Sequence, residues 1–287
     1  MTVTPLPPSG EQFELVFGDQ RATVVEVGGG LRTYAMGDRD ALDGYDADTM
    51  CAAARGQVLM PWPNRVTDGR YSFAGSEQQL PITEVSSNTA IHGLVRWSTW
   101  TADRAGAERV VMRHRLMPQP GYPFALDLSV AYALADDGLT VTSSATNIGD
   151  GHCPFGAGFH PYLAPRSTTI DDAVLRVPAR DPGDFLAAAP VGGTVLDTCF
   201  TGLERDGDGR ARVEFSDTVL WVDEAFGYLM VFTGDTLGPD ERRRGLAVEP
   251  MTCAPDAFNT GDGLLVLEPG ATWTGAWGIV PGGGSGR

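Results

Sequence analysis

One carboxylate and one imidazole in this chain stand where a strand meets a proline. Glu249 follows the apolar run Leu246-Ala247-Val248 and is fixed from behind by Pro250. A carboxylate in such a run is costly to bury unless it has a partner or a task. His160 lies in Gly156-Ala157-Gly158-Phe159-His160-Pro161-Tyr162, on a strand end that Pro161 stops from pairing further. Together the two groups can remove a proton from one substrate oxygen and supply one to another, which is acid/base chemistry that needs no metal or nucleotide. Each also has a plainer reading. His160 fits a core histidine that satisfies a buried carbonyl, and Glu249 fits an ion pair with Arg242, Arg243 or Arg244.

Other polar groups are placed to bind. Arg65 ends Met60-Pro61-Trp62-Pro63-Asn64-Arg65, where two prolines stiffen the backbone and a guanidinium fork can donate to vicinal hydroxyls. A surface ion pair is the alternative. His92 precedes Gly93 in Ile91-His92-Gly93-Leu94, and Asp197 sits in Val195-Leu196-Asp197-Thr198. A carboxylate there accepts two hydroxyl hydrogen bonds. His114, between two arginines, and His152, in a Gly-rich turn, are assigned to structure or solvent. The chain has no lysine to complete a phosphate-binding loop, and its histidines lack the spacing of a helical metal pair. Cys51, Cys153, Cys199 and Cys253 form no Cys-x-x-Cys pair, so they read as reduced cysteines with neither disulfide nor zinc.

The elements that must position these groups are strands. In residues 124–134 every second side chain is large and apolar, the pattern of a strand with one buried face. Asp136-Asp137-Gly138 then turns the chain into residues 139–147, a β-hairpin. Further hairpins are expected at residues 13–27 and around Asp206-Gly207-Asp208-Gly209. With 37 Gly and 20 Pro between short strands, helix is confined to a possible short segment at residues 46–54. Many antiparallel strands in one unit imply an all-β sandwich of two sheets.

Composition sets outer limits. A chain of 287 residues that is 42% apolar and 20% charged can bury a large core, and the reading is one domain over 11–280 between flexible ends at 1–10 and 281–287. The net charge of −16, with every cation an arginine, repels phosphate backbones, so neither nucleic acid nor an anionic membrane is an expected partner. No leader-like or membrane-length apolar run is present, and the expected location is cytoplasmic.

Four segments, in order along the chain, resemble the aldose 1-epimerase (mutarotase) family: Asn64-Arg65, His92-Gly93-Leu94, the Gly-x-His-Pro-Tyr element at 158–162, and Glu249 through Asn259. The resemblance implies the galactose-mutarotase-like β-supersandwich. It also implies a cofactor-independent isomerase acting on a small sugar as monomer or homodimer, with Glu249 as base, His160 as acid, and Arg65, His92 and Asp197 holding the sugar. The expected substrate is a free aldohexose such as glucose or galactose. A hexose 6-phosphate, or a non-catalytic sugar-binding role on the same fold, is the alternative. Four details accompany this reading. Glu249 and His160 face each other across a gap as wide as a pyranose ring. Arg65 is the only arginine near that ring. Arg242 to Arg244 lie on a solvated loop, and Trp62 or Phe159 supplies the stacking face.

Overall fold

The computed structural model describes residues 6–104 and 106–282, and almost all of its regular structure is antiparallel strand. The expected hairpin forms as Leu126–Ala135 with Gly138–Asn147, and burial alternates along the first strand as its side chains do. Gly138 is required at the turn: its φ is +110°, and a Cβ would lie 2.2 Å from the Ile279 carbonyl oxygen. The C-terminal strand Thr272–Val280 pairs with Gly138–Asn147 on one edge and Thr218–Val222 on the other, in the middle of a nine-stranded sheet. A seven-stranded sheet is built around Leu246–Met251, and a four-stranded sheet takes up the N-terminal strands from Gln12–Phe17 onward. One continuous apolar cluster draws side chains from all three sheets, including Leu15, Val130, Trp277, Leu229 and Val248. Full burial of each such side chain contributes about 1.5–3 kcal/mol, which offsets the chain entropy of ordering many short strands. No helix among the described residues is long and apolar enough to cross a membrane.

Three local expectations are corrected. Residues 46–54 form turns, and among the described residues the one α-helix is the four-residue Ala257–Thr260. Ala53 and Ala54 adopt left-handed φ of 50° and 57°, which no right-handed helix accommodates, and so steer the chain back into the sheet at Val58–Leu59. The turn at residues 206–209 makes no hairpin. Asp197–Leu203 pairs with Tyr228–Phe232, whereas Ala211–Phe215 pairs with Thr218–Val222, so the Asp-Gly-rich loop crosses from one sheet to the other. Ser9 and Gly10, expected in a flexible end, are buried, and the Ser9 carbonyl accepts a bond from the Val27 N–H. Of the expected C-terminal tail, residues 283–287 lie outside the described residues.

The strand that matters most is Leu246–Met251, in which every residue is buried. It is a central strand, with Tyr228–Phe232 on one side and Gly158–Phe159 and Tyr162–Leu163 on the other. That position explains an apolar run in place of alternation.

Candidate active site

Arg65, His92, His160, Asp197 and Glu249 all line one cavity of about 290 Å³, at the small end of the range for small-molecule sites. The sheet delivers three of them. Glu249 lies in the central strand opposite Met230, His160 directly follows Gly158–Phe159 on the adjoining strand, and Asp197 opens Asp197–Leu203. Arg65 and His92 arrive on a separate two-stranded ladder, Arg65–Thr67 with Thr89–Ile91. The glycines before His160 serve packing. A Cβ on Gly158 would lie 2.6 Å from Pro63 Cβ, and one on Gly156 2.6 Å from Cys253 Sγ.

His160 and Glu249 are in direct contact, with no ring-wide gap between them: Nε2 and Oε1 are 3.2 Å apart. The reason is topological. Antiparallel neighbours in one sheet put their side chains side by side, so two groups on adjacent strands touch. Both residues are buried, at 5% and 2% exposure. Burial pushes the Glu249 carboxyl well above its ordinary range, with the negative charge of Asp197 adding to the effect. Burial likewise lowers His160 to about 3, assisted by the positive charges of Arg96 and Arg55. Burial thus disfavours the charged form of each group, and the two titrate as a unit. Each partner keeps one polar atom without a hydrogen bond, His160 Nδ1 and Glu249 Oε2. Buried polar atoms without a protein partner are uncommon in native proteins.

The His160 ring lies flat on Tyr162, with centroids 5.0 Å apart and planes at 12°, and meets His92 edge-on at 5.3 Å. The Arg55 guanidinium also stands over the Tyr162 ring, 4.5 Å from its centre. His92 is fixed through its backbone: its N–H donates to the Asn64 carbonyl, and its Nδ1 accepts the Asn64 N–H at 3.2 Å. That bond assigns the proton to Nε2, so His92 is a neutral donor, as its burial also favours. His92, His160 and Glu249 offer ligand atoms within 4.8 Å of one another. The fixed tautomer of His92 suits hydrogen-bond donation better than a metal, which would need a lone pair at Nε2. Gly93 lets this corner close, since a Cβ there would lie 2.0 Å from the Met60 carbonyl oxygen.

Arg65 commits most of its fork to a single acidic partner. Its Nε and Nη2 donate to both oxygens of Glu84, at 2.6 and 2.9 Å, and Nη1 stands 4.0 Å from Asp197. The Arg65 fork holds the Glu84 carboxyl near 2. Glu84 also lines the cavity and is a residue that sequence reasoning missed. It sits in Pro81-Ile82-Thr83-Glu84, which has no motif of its own, and only the strand pairing brings it to Arg65.

The expected arginine count is also corrected. Arg96 lines the cavity as well, so Arg65 is not alone. The cluster at 242–244 is less solvated than its polar flanks suggested: Arg243 is buried against Asp171 and Asp235, Arg244 donates to Asp43, and Arg242 reaches Asp235. Trp62 and Phe159 are core residues, Trp62 packing on Tyr122 and Phe258 and Phe159 on Phe226 and Trp277. The aromatic groups on the cavity are Trp97, Tyr162 and Phe232, of which Trp97 is 50% exposed. A larger hollow of about 900 Å³ lies elsewhere, but its Arg39, Arg55, Arg166 and Arg244 are already paired with Asp43, Asp217 or Glu241.

The resemblance implied that Glu249, His160, Arg65, His92 and Asp197 converge on one cavity of an antiparallel supersandwich, and they do, with the first two in contact where a gap was expected. The profile of the aldose 1-epimerase family matches residues 11–279. The chain belongs to the aldose 1-epimerase family. Among curated proteins it is 35% identical to the uncharacterized protein YihR of Escherichia coli K12, over 94% of this chain and 93% of YihR. Among solved structures, the GalM/aldose epimerase homologue from C. elegans has a TM-score of 0.82 at 17% identity, covering 95% of this chain and 99% of that one. A putative aldose 1-epimerase from Escherichia coli K12 gives 0.78 at 22% identity, over 94% and 98%. At such identities the two structures establish the galactose-mutarotase-like fold.

Proposed function

We propose that the protein interconverts the α and β anomers of a free aldohexose. The observation that carries this reading is the buried His160–Glu249 contact at 3.2 Å, on a small cavity lined by Arg65, His92 and Asp197. Opening a hemiacetal ring requires a proton to leave the anomeric hydroxyl O1 while another arrives at the ring oxygen O5. O1 and O5 are bonded to one carbon, so they lie side by side, as the two protein groups do. Transfer of the shared proton from the Glu249 carboxyl to His160 gives carboxylate and imidazolium. The carboxylate then takes the O1 proton as imidazolium delivers its own to O5, the C1–O5 bond breaks and the aldehyde forms. This leaves a protonated carboxyl and a neutral imidazole, the state that burial favours. Rotation about C1–C2 and the reverse transfers close the other anomer. The proton count of the pair never changes, so no proton need enter from water.

In this reading His92 donates from Nε2 to a sugar oxygen, while Asp197 and Nη1 of Arg65 hold hydroxyls. The test is polarimetry, or NMR of anomeric exchange, on freshly dissolved α-glucose and α-galactose with and without protein. Acceleration that survives chelator treatment is expected. Loss of rate on chelation with recovery on added zinc would refute the cofactor-independent mechanism.

A further inference from the structure

Arg96 differs from the other cavity arginine in having no acidic partner. Arg65 is bound on two nitrogens by Glu84. No Asp or Glu among the described residues forms an ion pair with Arg96, whose guanidinium is held by neutral groups alone: Nη1 donates to Gln57 Oε1 at 3.4 Å, and the carbon of the guanidinium stands 5.8 Å from the centre of the Trp97 ring. Gln57 secures the same residue a second time, its amide donating to the Arg96 carbonyl. The cation is thus fixed in place, partly buried, with Nε and Nη2 uncommitted. A desolvated arginine without a counter-ion is costly, and a carboxylate-like group fits its planar fork.

Its position relative to the acid/base pair says which part of a sugar it meets. Gln57, which holds Arg96, also accepts the backbone N–H of His160. Arg65 and Asp197 instead stand together, 4.0 Å apart, and theirs are the charges that act on Glu249. Arg96 therefore lies on the His160 side of the cavity and Asp197 on the Glu249 side. If Glu249 serves O1 and His160 serves O5, the atom beyond O5 is C5, and the substituent it carries is C6.

We infer that Arg96 receives an acidic group at C6 of the hexose, and that the preferred substrate is a singly charged hexose such as a hexuronate. This rests on the acid/base reading of His160 and Glu249 for its orientation. The single charge follows from the formal balance of the cavity. Arg65 is already matched by Glu84, and of the two cavity arginines Arg96 alone has no acidic partner among the described residues. One negative group at Arg96 is matched locally, whereas a doubly charged phosphate would bring a second charge that no further cation in the cavity meets. The net charge of −16 is a whole-chain average and does not describe a cation held inside a pocket.

The experiment compares kcat/KM for D-glucose, D-glucuronate, D-galacturonate and D-glucose 6-phosphate in the wild type, Arg96→Gln and Arg96→Lys. A wild-type preference of about 10–100-fold for a hexuronate over glucose is expected, the range for a hydrogen-bonded charge pair. Arg96→Gln should abolish the preference and Arg96→Lys restore part of it. Glucose used as well as the hexuronates, a preference untouched by Arg96→Gln, or glucose 6-phosphate as the best substrate each overturns the proposal. Equilibrium binding of glucuronate and glucose, by calorimetry, separates it from the mechanism. No turnover of any sugar, with glucuronate bound more tightly than glucose only when Arg96 is present, would sink the epimerase reading and sustain the acid-binding site. Equal binding of the two sugars would sink the site.

Discussion

Asn64 and His92 hold each other in left-handed backbone conformations, with φ of 52° and 63°, through two reciprocal hydrogen bonds. Asparagine tolerates this region better than other residues with a Cβ, and its Oδ1 also accepts the Arg65 N–H at 3.0 Å. Asn64→Ala should lose about 1–2 kcal/mol of stability, whereas Asn64→Gly, which suits the φ, should lose less. Chemical denaturation of both variants decides. Equal losses would show that backbone conformation is not what Asn64 supplies.

Glu249→Gln and His160→Ala should each lower kcat by roughly 10²–10⁴-fold, the usual scale for a positioned acid or base. In the proposed mechanism the two pass one proton between them, so the double variant should lose about as much as either single one. Multiplying losses, measured by anomeric exchange, would mean that they act independently.

An ordinary glutamate and histidine would give a kcat/KM profile confined between about pH 4.3 and 6.5, where the first is ionised and the second protonated. The buried pair predicts a wider plateau. Its acid limb should fall towards pH 3, where His160 takes a second proton, and its alkaline limb should lie above the carboxylate range, where Glu249 loses the only one. A narrow profile bounded at the ordinary values would exclude the shared proton.

The same shifts govern stability. His92 and His160 have depressed folded values, so the stability they contribute is present above the unfolded imidazole value of about 6.5 and is lost as pH falls below it. Glu249 has a raised folded value, so its contribution is present below about 4.5 and is lost as pH rises. Between pH 6 and 5 two groups oppose one. Acidification across this range should therefore destabilise the fold, and urea melts of His160→Gln should show a flatter pH dependence.

Glu84 orients Arg65 through two hydrogen bonds. Glu84→Gln can keep only one acceptor for them, so KM should rise about tenfold with kcat little changed. A fall in kcat alone would place Glu84 in the chemistry.

The fold class and the members of the site were legible because they rest on local signals: period-two alternation at residues 126–135, and short motifs around Arg65, His92, His160 and Glu249. What failed depended on which strands become neighbours. The direct His160–Glu249 contact follows from the adjacency of Gly158–Phe159 and Leu246–Met251, which no spacing along the chain encodes. The pairing of Glu84 with Arg65 and the isolation of Arg96 have the same origin. Trp62 and Trp97 show the converse difficulty, since both are tryptophans beside a motif, and only three-dimensional packing sends one to the core and the other to the cavity.

The stack of His160 on Tyr162 carries a consequence for spectroscopy. Ring protons held over the face of a parallel aromatic ring are shielded, so the imidazole signals of His160 should move upfield from those of unstacked histidines. With only four histidines in the chain, each can be resolved and assigned. The phenol therefore acts as a built-in magnetic label on the buried imidazole, through which its protonation can be watched.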